Sequence, residues 1–405
     1  METKQRWWWP ASKQNRRYQS AKKLPGSETY SDGFSGHVGF VVKPSVHSDA
    51  IGCVAVLRPG MVITGSRDEN LSLVNLDSGE CVRQWSDHAK EVTKVVYRHI
   101  ANSHLLLSAS RDTSVKLWAF DKPQCTGTFD GHKFGVSGLE ILSENCFASG
   151  SRDCTVRLWD IQRVKCVLDK EVPRNLVTHI SRSRTSDLMA QSAEDKAVKL
   201  WSTKDLTLVH EYPKKAWIQT HCSFTHDGLY VLSCSNGFNG QGGEITIWDV
   251  RQRRILRELQ GHDATTHCAV AIPPATKSAH SQTAGGRSGS FSADSKGAVV
   301  AESMADTSPV KSLAVSASAD HSVRLWCLDT GVMLGSEYVP SGGSLLAAAA
   351  YSDGTVVASG ENAALAHLRL AERGGRPCLR PMSLQIRGGE DSSDQFKQSY
   401  STYTF

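Results

Sequence analysis

Three groupings in the 405 residues bring together side chains or backbone that could do chemistry. The run Gly237-Phe238-Asn239-Gly240-Gln241-Gly242-Gly243 has the glycine density of a phosphate-cradling loop. It lacks a following Lys-Ser or Lys-Thr and leads into a strand, not a helix, so no helix terminus would stand behind its amides and a nucleotide site is not expected. Thr-His recurs at His179, His221 and His267, a ring of imidazoles in principle. A zinc ion needs its ligands to converge to about 2 Å, and no metal-ligand spacing accompanies these histidines, so packed, hydrogen-bonded rings are expected. Arg67, Arg111 and Arg152 each precede an aspartate, while Glu194 and Glu361 hold that slot elsewhere. Guanidiniums grip carboxylates bidentately, so the three arginines would suit an acidic partner segment. No nucleophile with its base and orienting group, carboxylate dyad or metal-ligand spacing emerges. Neither catalysis nor a cofactor or metal is expected.

The elements that must position these groups are set by a repeat. Val-Lys-Leu-Trp or a close variant ends at Trp118, Trp159, Trp201, Trp248 and Trp326, with gaps of 41, 42, 47 and 78 residues. The last gap reads as one unit of 42 carrying an insertion of 36. Asp112, Asp153, Asp195 and Asp320 stand six residues before four of these tryptophans, in the turn of each hairpin; Gly242 takes that place in the fifth unit. Within units, apolar residues alternate with period two, as at Val115 and Leu117 or Val156 and Leu158, and Ser, Arg, Asp and Gly bound them, which predicts short strands. Weaker copies at Ser66-Arg67-Asp68 and Ser359 to Asn362 bring the total to seven. Units that bury their apolar faces only against neighbours must close into a ring to remove exposed edges.

Asp130-Gly131-His132, Ser151-Arg152-Asp153 and Trp159-Asp160 resemble the Gly-His and Trp-Asp punctuation of the WD-repeat β-propeller family. The resemblance covers about residues 38–370 and implies an all-β, seven-bladed propeller with four antiparallel strands per blade. It also implies a His, Ser/Thr, Asp and Trp network in each blade: His88, Asp112 and Trp118; His132, Asp153 and Trp159; His262, Asp320 and Trp326; with Asp195, Trp201 and Trp248 in the remaining units. Val38 to Lys43 is expected to supply the outer strand of the last blade. Arg174 to His179, Ser192 to Lys196, Ile218 to Thr220 and Ser233 to Phe238 resemble a narrower branch of the family associated with cilia and flagella, where it is thought to support transport and membrane-protein traffic through regulators of small GTPases. Relatives in that branch begin Met-Gly; with Glu2 in place of the acceptor glycine, N-myristoylation is not expected. Trp248-Asp249-Val250-Arg251 resembles the Trp-Asp-x-Arg pattern of substrate receptors in cullin-type ubiquitin ligases, in which Arg251 would make the adaptor contact.

Composition supports a folded, soluble chain: 40% hydrophobic and 21% charged, with no apolar run of membrane-spanning length and no signal peptide. The eleven cysteines include no Cys-x-x-Cys pair, so reduced thiols in an intracellular setting are expected, in the cytoplasm and, by resemblance, at the cilium. Residues 1–46 hold eight Lys/Arg against three Asp/Glu, the whole of the net +5, so the remaining body is neutral and no nucleic-acid partner is expected. Residues 1–37 read as a disordered basic tail whose Trp7-Trp8-Trp9 would suit peripheral contact with an anionic membrane. Residues 274–309 read as a disordered insertion in blade six and residues 371–405 as a flexible tail. Asn236, Phe238 and Asn239, in the hairpin that breaks the turn pattern, join the three arginines and Arg251 as candidate partner contacts. The sum is a non-catalytic scaffold, a monomer within a larger complex, with ligase substrate receptor as the alternative.

Overall fold

The computed structural model describes residues 39–100, 103–172, 174–274, 312–340 and 342–387. The expected N-terminal tail, all but the first residue of the expected insertion, and residues 388–405 lie outside them. The described residues contain no helix and form seven sheets of blade type plus one two-stranded ribbon. Blades 1 to 7 span residues 51–86, 92–129, 136–171, 177–211, 219–259, 266–338 and 345–386. Within each, four strands pair antiparallel in chain order. The first strand of each blade packs on the first strand of the next, and that of blade 7 on that of blade 1, so the ring closes around a central channel.

Burial falls outward along each blade. Second strands such as Met61–Ser66 and Thr355–Gly360 are buried at every residue, whereas the fourth strand Lys165–Glu171 is exposed at every residue. A strand covered on both faces by neighbouring blades must be small and apolar; an outermost strand meets water. Trp85, Trp118, Trp159, Trp201, Trp248 and Trp326 are at most 2% exposed and supply much of the wedge between blades.

Blade 7 departs from expectation. The segment expected as its outer strand does lie outermost, as Val41–Pro44, but it is a fifth, parallel strand added outside the fourth strand Arg376–Ile386, Val41 opposite Ser383 and Pro44 opposite Ile386. Residues 371–386, expected as flexible tail, are therefore the two arms and the turn of a hairpin, and the propeller ends near residue 386 instead of 370. The turn is Gly374-Gly375, with φ +57° and +73°, the left-handed pair that a tight hairpin requires. Beyond it Leu379, Leu384 and Ile386 are buried in the blade core. The 36-residue insertion falls where expected, between the first and second strands of blade 6, Thr266–Ala271 and Leu313–Ser318.

Candidate functional site

Three blades carry the full polar network. In blade 3, Asp153 Oδ2 is 2.9 Å from His132 Nδ1, His132 Nε2 is 2.7 Å from Ser149 Oγ, and Trp159 Nε1 donates to that oxygen at 2.7 Å. His88, Ser108, Asp112 and Trp118 repeat it in blade 2, and His262, Ser316, Asp320 and Trp326 in blade 6, with all distances 2.7–2.8 Å. Burial alone would raise the carboxyls of Asp112, Asp153 and Asp320; hydrogen bonds from the histidines and from Ser114, Thr155 and Ser322 outweigh it and hold all three well below the usual carboxylate range. Each network ties the loop entering a blade to its second and third strands. These residues build the platform.

Blades 4 and 5 depart from the expected network. Asn175 stands in place of the histidine in blade 4, and Asp195 pairs with buried Lys199, which also donates to Asn175 Oδ1 at 3.1 Å. Trp201 Nε1 donates to Gln191 Oε1 at 2.7 Å. In blade 5, Trp248 Nε1 donates to Ser233 Oγ at 2.8 Å, which donates in turn to Gln219 Oε1 at 2.7 Å. A fourth histidine network, His47 with Asp68 and Thr64 at 2.8 Å each, was not anticipated, because Val74 occupies the tryptophan place. Its signal was present: His47 and Asp68 are 21 residues apart, as are His132 and Asp153.

The three arginines lie where expected, in turns on one face of the disc, but none is a free cation. Arg67 reaches Asp49 at 3.7 Å, Arg111 meets Glu91 at 3.0 Å, and Arg152 meets Glu194 of the next blade at 2.8 Å. The basic arc expected over three blades is thus lined by its own carboxylates. Between Arg111 and Arg152 stands a residue that sequence reasoning missed. Phe134 is 61% exposed and, with Lys90, Gly135 and Leu176, lines a hollow of about 550 Å³. Its loop is held: Ser151 Oγ donates to Phe134 O at 2.9 Å, and a β-carbon at Gly135 would come within 3.3 Å of Arg111 Cα.

The glycine cluster is a second feature of this face. Gly237–Phe238 pairs with Gln241–Gly242 across an Asn239-Gly240 turn with φ +51° and +72°. A β-carbon at Gly237 would lie 2.4 Å from Gly243 N, so the glycines serve a close backbone crossing. The ribbon docks on the loop into blade 6, Gly237 N–H donating to Thr265 Oγ1 at 3.1 Å and Gly240 N–H to Asp263 O at 2.9 Å. Phe238 is 73% exposed and Asn239 is exposed, while Asn236 is half-buried and its Oδ1 has no hydrogen-bond partner among the described residues.

In the channel, His179 and His221 meet with ring centroids 4.0 Å apart, and His179 Nδ1 donates to Cys222 O at 2.9 Å. Burial pushes both imidazoles well below their ordinary range, with His221 adding to the effect on His179. They are packed neutral rings, and His267 is not in contact with either ring. Arg251 lies in the turn after Ile245–Asp249, at the other end of its blade, exposed and without an ion pair among the described residues.

A ring of seven four-stranded blades carrying repeated His-Ser-Asp-Trp networks defines a WD-repeat β-propeller, and this chain is one. The family described as "WD domain, G-beta repeat" matches residues 79–119 and 123–160. Similar proteins include pre-mRNA-processing factor 19 of Bos taurus, 24% identical over 50% of this chain and 31% of the relative. The phospholipase A-2-activating protein of Xenopus laevis is 33% identical over 25% of this chain and 13% of its own length. Nuclear distribution protein nudF of Aspergillus niger is 24% identical over 57% and 42%. The chain thus spans less than half the length of each of these curated relatives.

Proposed function

We propose that this propeller is a non-catalytic scaffold that receives acidic partner segments on the face carrying Phe134. The observation that carries the reading is Phe134 itself, a large apolar ring held in the open by a rigid loop between two arginines. Aromatic anchors with flanking arginines are the side chains that concentrate binding energy at interfaces. A carboxylate-bearing segment with one apolar side chain would set that side chain against Phe134 and take over the guanidiniums of Arg111 and Arg152 from Glu91 and Glu194. The test is selection from a library of acidic peptides against the full chain, followed by Phe134→Ala and Arg152→Glu. Selected peptides should bind at least about tenfold more weakly to Phe134→Ala, with the melting temperature unchanged. Selection that fails, or binding indifferent to both substitutions, overturns the proposal.

The setting proposed for this scaffold is ciliary or flagellar traffic, on the likeness of Arg174 to His179 and Ser233 to Phe238 to WD repeat-containing protein 31. Proximity labelling in ciliated cells tests it: enrichment of ciliary transport or small-GTPase regulators is the expected result. A second reading, substrate receptor of a cullin-type ligase, is favoured by the exposure of Arg251, which forms no ion pair among the described residues. It requires adaptor capture that Arg251→Ala abolishes while the fold is kept.

A further inference from the structure

Cations that form no ion pair among the described residues collect at the opposite end of the channel from Phe134. In blade 2, Val92 pairs with Ser110 beside the Arg111 turn, whereas Arg98 pairs with Leu105, six residues and about 20 Å further along the strand. In blade 4, Val177 pairs with Ala193 at the turn end and Arg182 with Met189 at the far end, with Arg184 just beyond. Arg98, Arg182 and Arg184 line one mouth of about 390 Å³ with Tyr97, His99 and Tyr351. It adjoins the channel, where Lys94 and Glu140 stand. The mouth falls within the ~300–1,000 Å³ usual for small-ligand sites.

Four cations thus face Glu140 in the channel, with Asp187, itself paired with Lys204, acting on Arg182 from outside it, and none of the four forms an ion pair among the described residues, in contrast to Arg67, Arg111 and Arg152. Burial pushes the Glu140 carboxyl up, against the pull of Arg98, Lys94 and Arg182, which weakens the counter-charge inside the channel further. Arg98 Nη1 donates to Ile141 O at 3.2 Å and Arg182 Nη1 to Leu142 O, while Arg182 Nε is buried without a partner. A guanidinium has five N–H donors. Holding three guanidiniums at one opening, Arg98 and Arg182 anchored and partly buried and Arg184 exposed at the rim, opposes folding through their mutual repulsion unless an anion offsets it.

We propose that this channel mouth binds a compact anion bearing several phosphate groups. Tetrahedral oxyanions match the forked donors of arginine, and more than one phosphate is needed to balance the surplus of charge. The opening is a single point and not a track, which suits a small polyphosphorylated molecule rather than a nucleic-acid backbone. Such a headgroup occurs free, as in inositol polyphosphates, or on a phosphoinositide lipid; both share the clustered phosphomonoesters that the arginines would recognise.

The test titrates the full chain with inositol hexakisphosphate by calorimetry, comparing the unaltered protein with Arg184→Gln, Arg98→Gln and Arg111→Gln. One-to-one binding is expected, weakened about ten- to hundredfold by either channel substitution, as for loss of a charge-assisted hydrogen bond. Arg111→Gln should bind as the unaltered chain does. Without ligand, Arg184→Gln should melt no lower than the unaltered protein, since it relieves repulsion, and with ligand it should lose most of the stabilisation. Sedimentation with phosphatidylcholine vesicles, with and without a phosphatidylinositol bisphosphate, assigns the source. Arg184-dependent capture on the bisphosphate vesicles identifies a lipid headgroup, and binding of the free ligand alone identifies a soluble one. No binding, or affinity unchanged in both channel variants, overturns the proposal. Peptide binding at Phe134 is unaffected by either result.

Discussion

Removing one oxygen from the middle of blade 3 tests whether polar networks, beyond apolar burial, hold the ring together. Since a carboxylate only accepts, the Nδ1 of His132 carries the hydrogen bonded to Asp153; in the neutral imidazole Nε2 then accepts from Ser149, which accepts from Trp159. Ser149→Ala barely changes volume, so cavity formation is not the variable. It leaves the indole N–H of Trp159, 1% exposed, and the Nε2 of His132, 6% exposed, without their partner. Each orphaned buried group costs about 1–3 kcal/mol, giving roughly 2–6 kcal/mol together. At about 2 °C per kcal/mol for a large domain, the melting temperature should fall by roughly 4–12 °C. Circular-dichroism melts and urea unfolding would read this beside Ser86→Ala, whose exposed hydroxyl donates to Asn70 Oδ1 at 2.6 Å. That control should stay within about 0.5 kcal/mol. Equal small effects in the two variants would refute the network's part in stability.

Acid should weaken the protein in two windows. His179 and His221, buried neutral with lowered values, oppose protonation that the unfolded chain accepts from about pH 6.5 downward, so stability falls as pH drops below that point. Replacing both by glutamine should flatten that slope in urea midpoints. Asp68, Asp112, Asp153 and Asp320, depressed in the fold, contribute stability that is present above the unfolded value of about 3.9 and lost as pH falls through the folded ones; Asp153→Asn should reduce that second loss. Ending the chain after Leu370 removes the buried Leu379, Leu384 and Ile386, about 5–9 kcal/mol of apolar burial, so it should not yield a stable propeller. Ending after Arg387 should melt like the full chain, and equal stability of the two truncations would contradict the strand at Arg376–Ile386.

Blade count and the three full networks were legible because they rest on local and periodic signals. Trp118, Trp159 and Trp326 mark third strands, and the aspartate six residues earlier must sit in the preceding turn. The blade 1 network carries no tryptophan signal, because Val74 stands in that place while His47, Thr64 and Asp68 remain. By composition residues 371–405 suit a flexible tail, yet the adjacent Gly374 and Gly375 also make a tight turn, and the buried Leu379 and Leu384 beyond them decide for a strand. Phe134 had no signal of its own: an aromatic after Gly-His is core or surface depending on what the next blade presents.

What the sequence determined by itself was the repeat, and through it which side chains enter the interior, since a period-two strand inside a fixed-length unit leaves little freedom in that choice. Which charges remain unneutralised was decided only by the closed ring. Arg152 finds Glu194 in the adjacent blade, 42 residues away, whereas Arg98 and Arg182 come from blades 2 and 4 to the same mouth and form no ion pair among the described residues. Electrostatic partnership depends on distances of a few ångströms. Those between residues of different blades are set by how the disc closes, so the face that looked basic in the sequence is paired and the uncompensated charge lies at the other end of the channel.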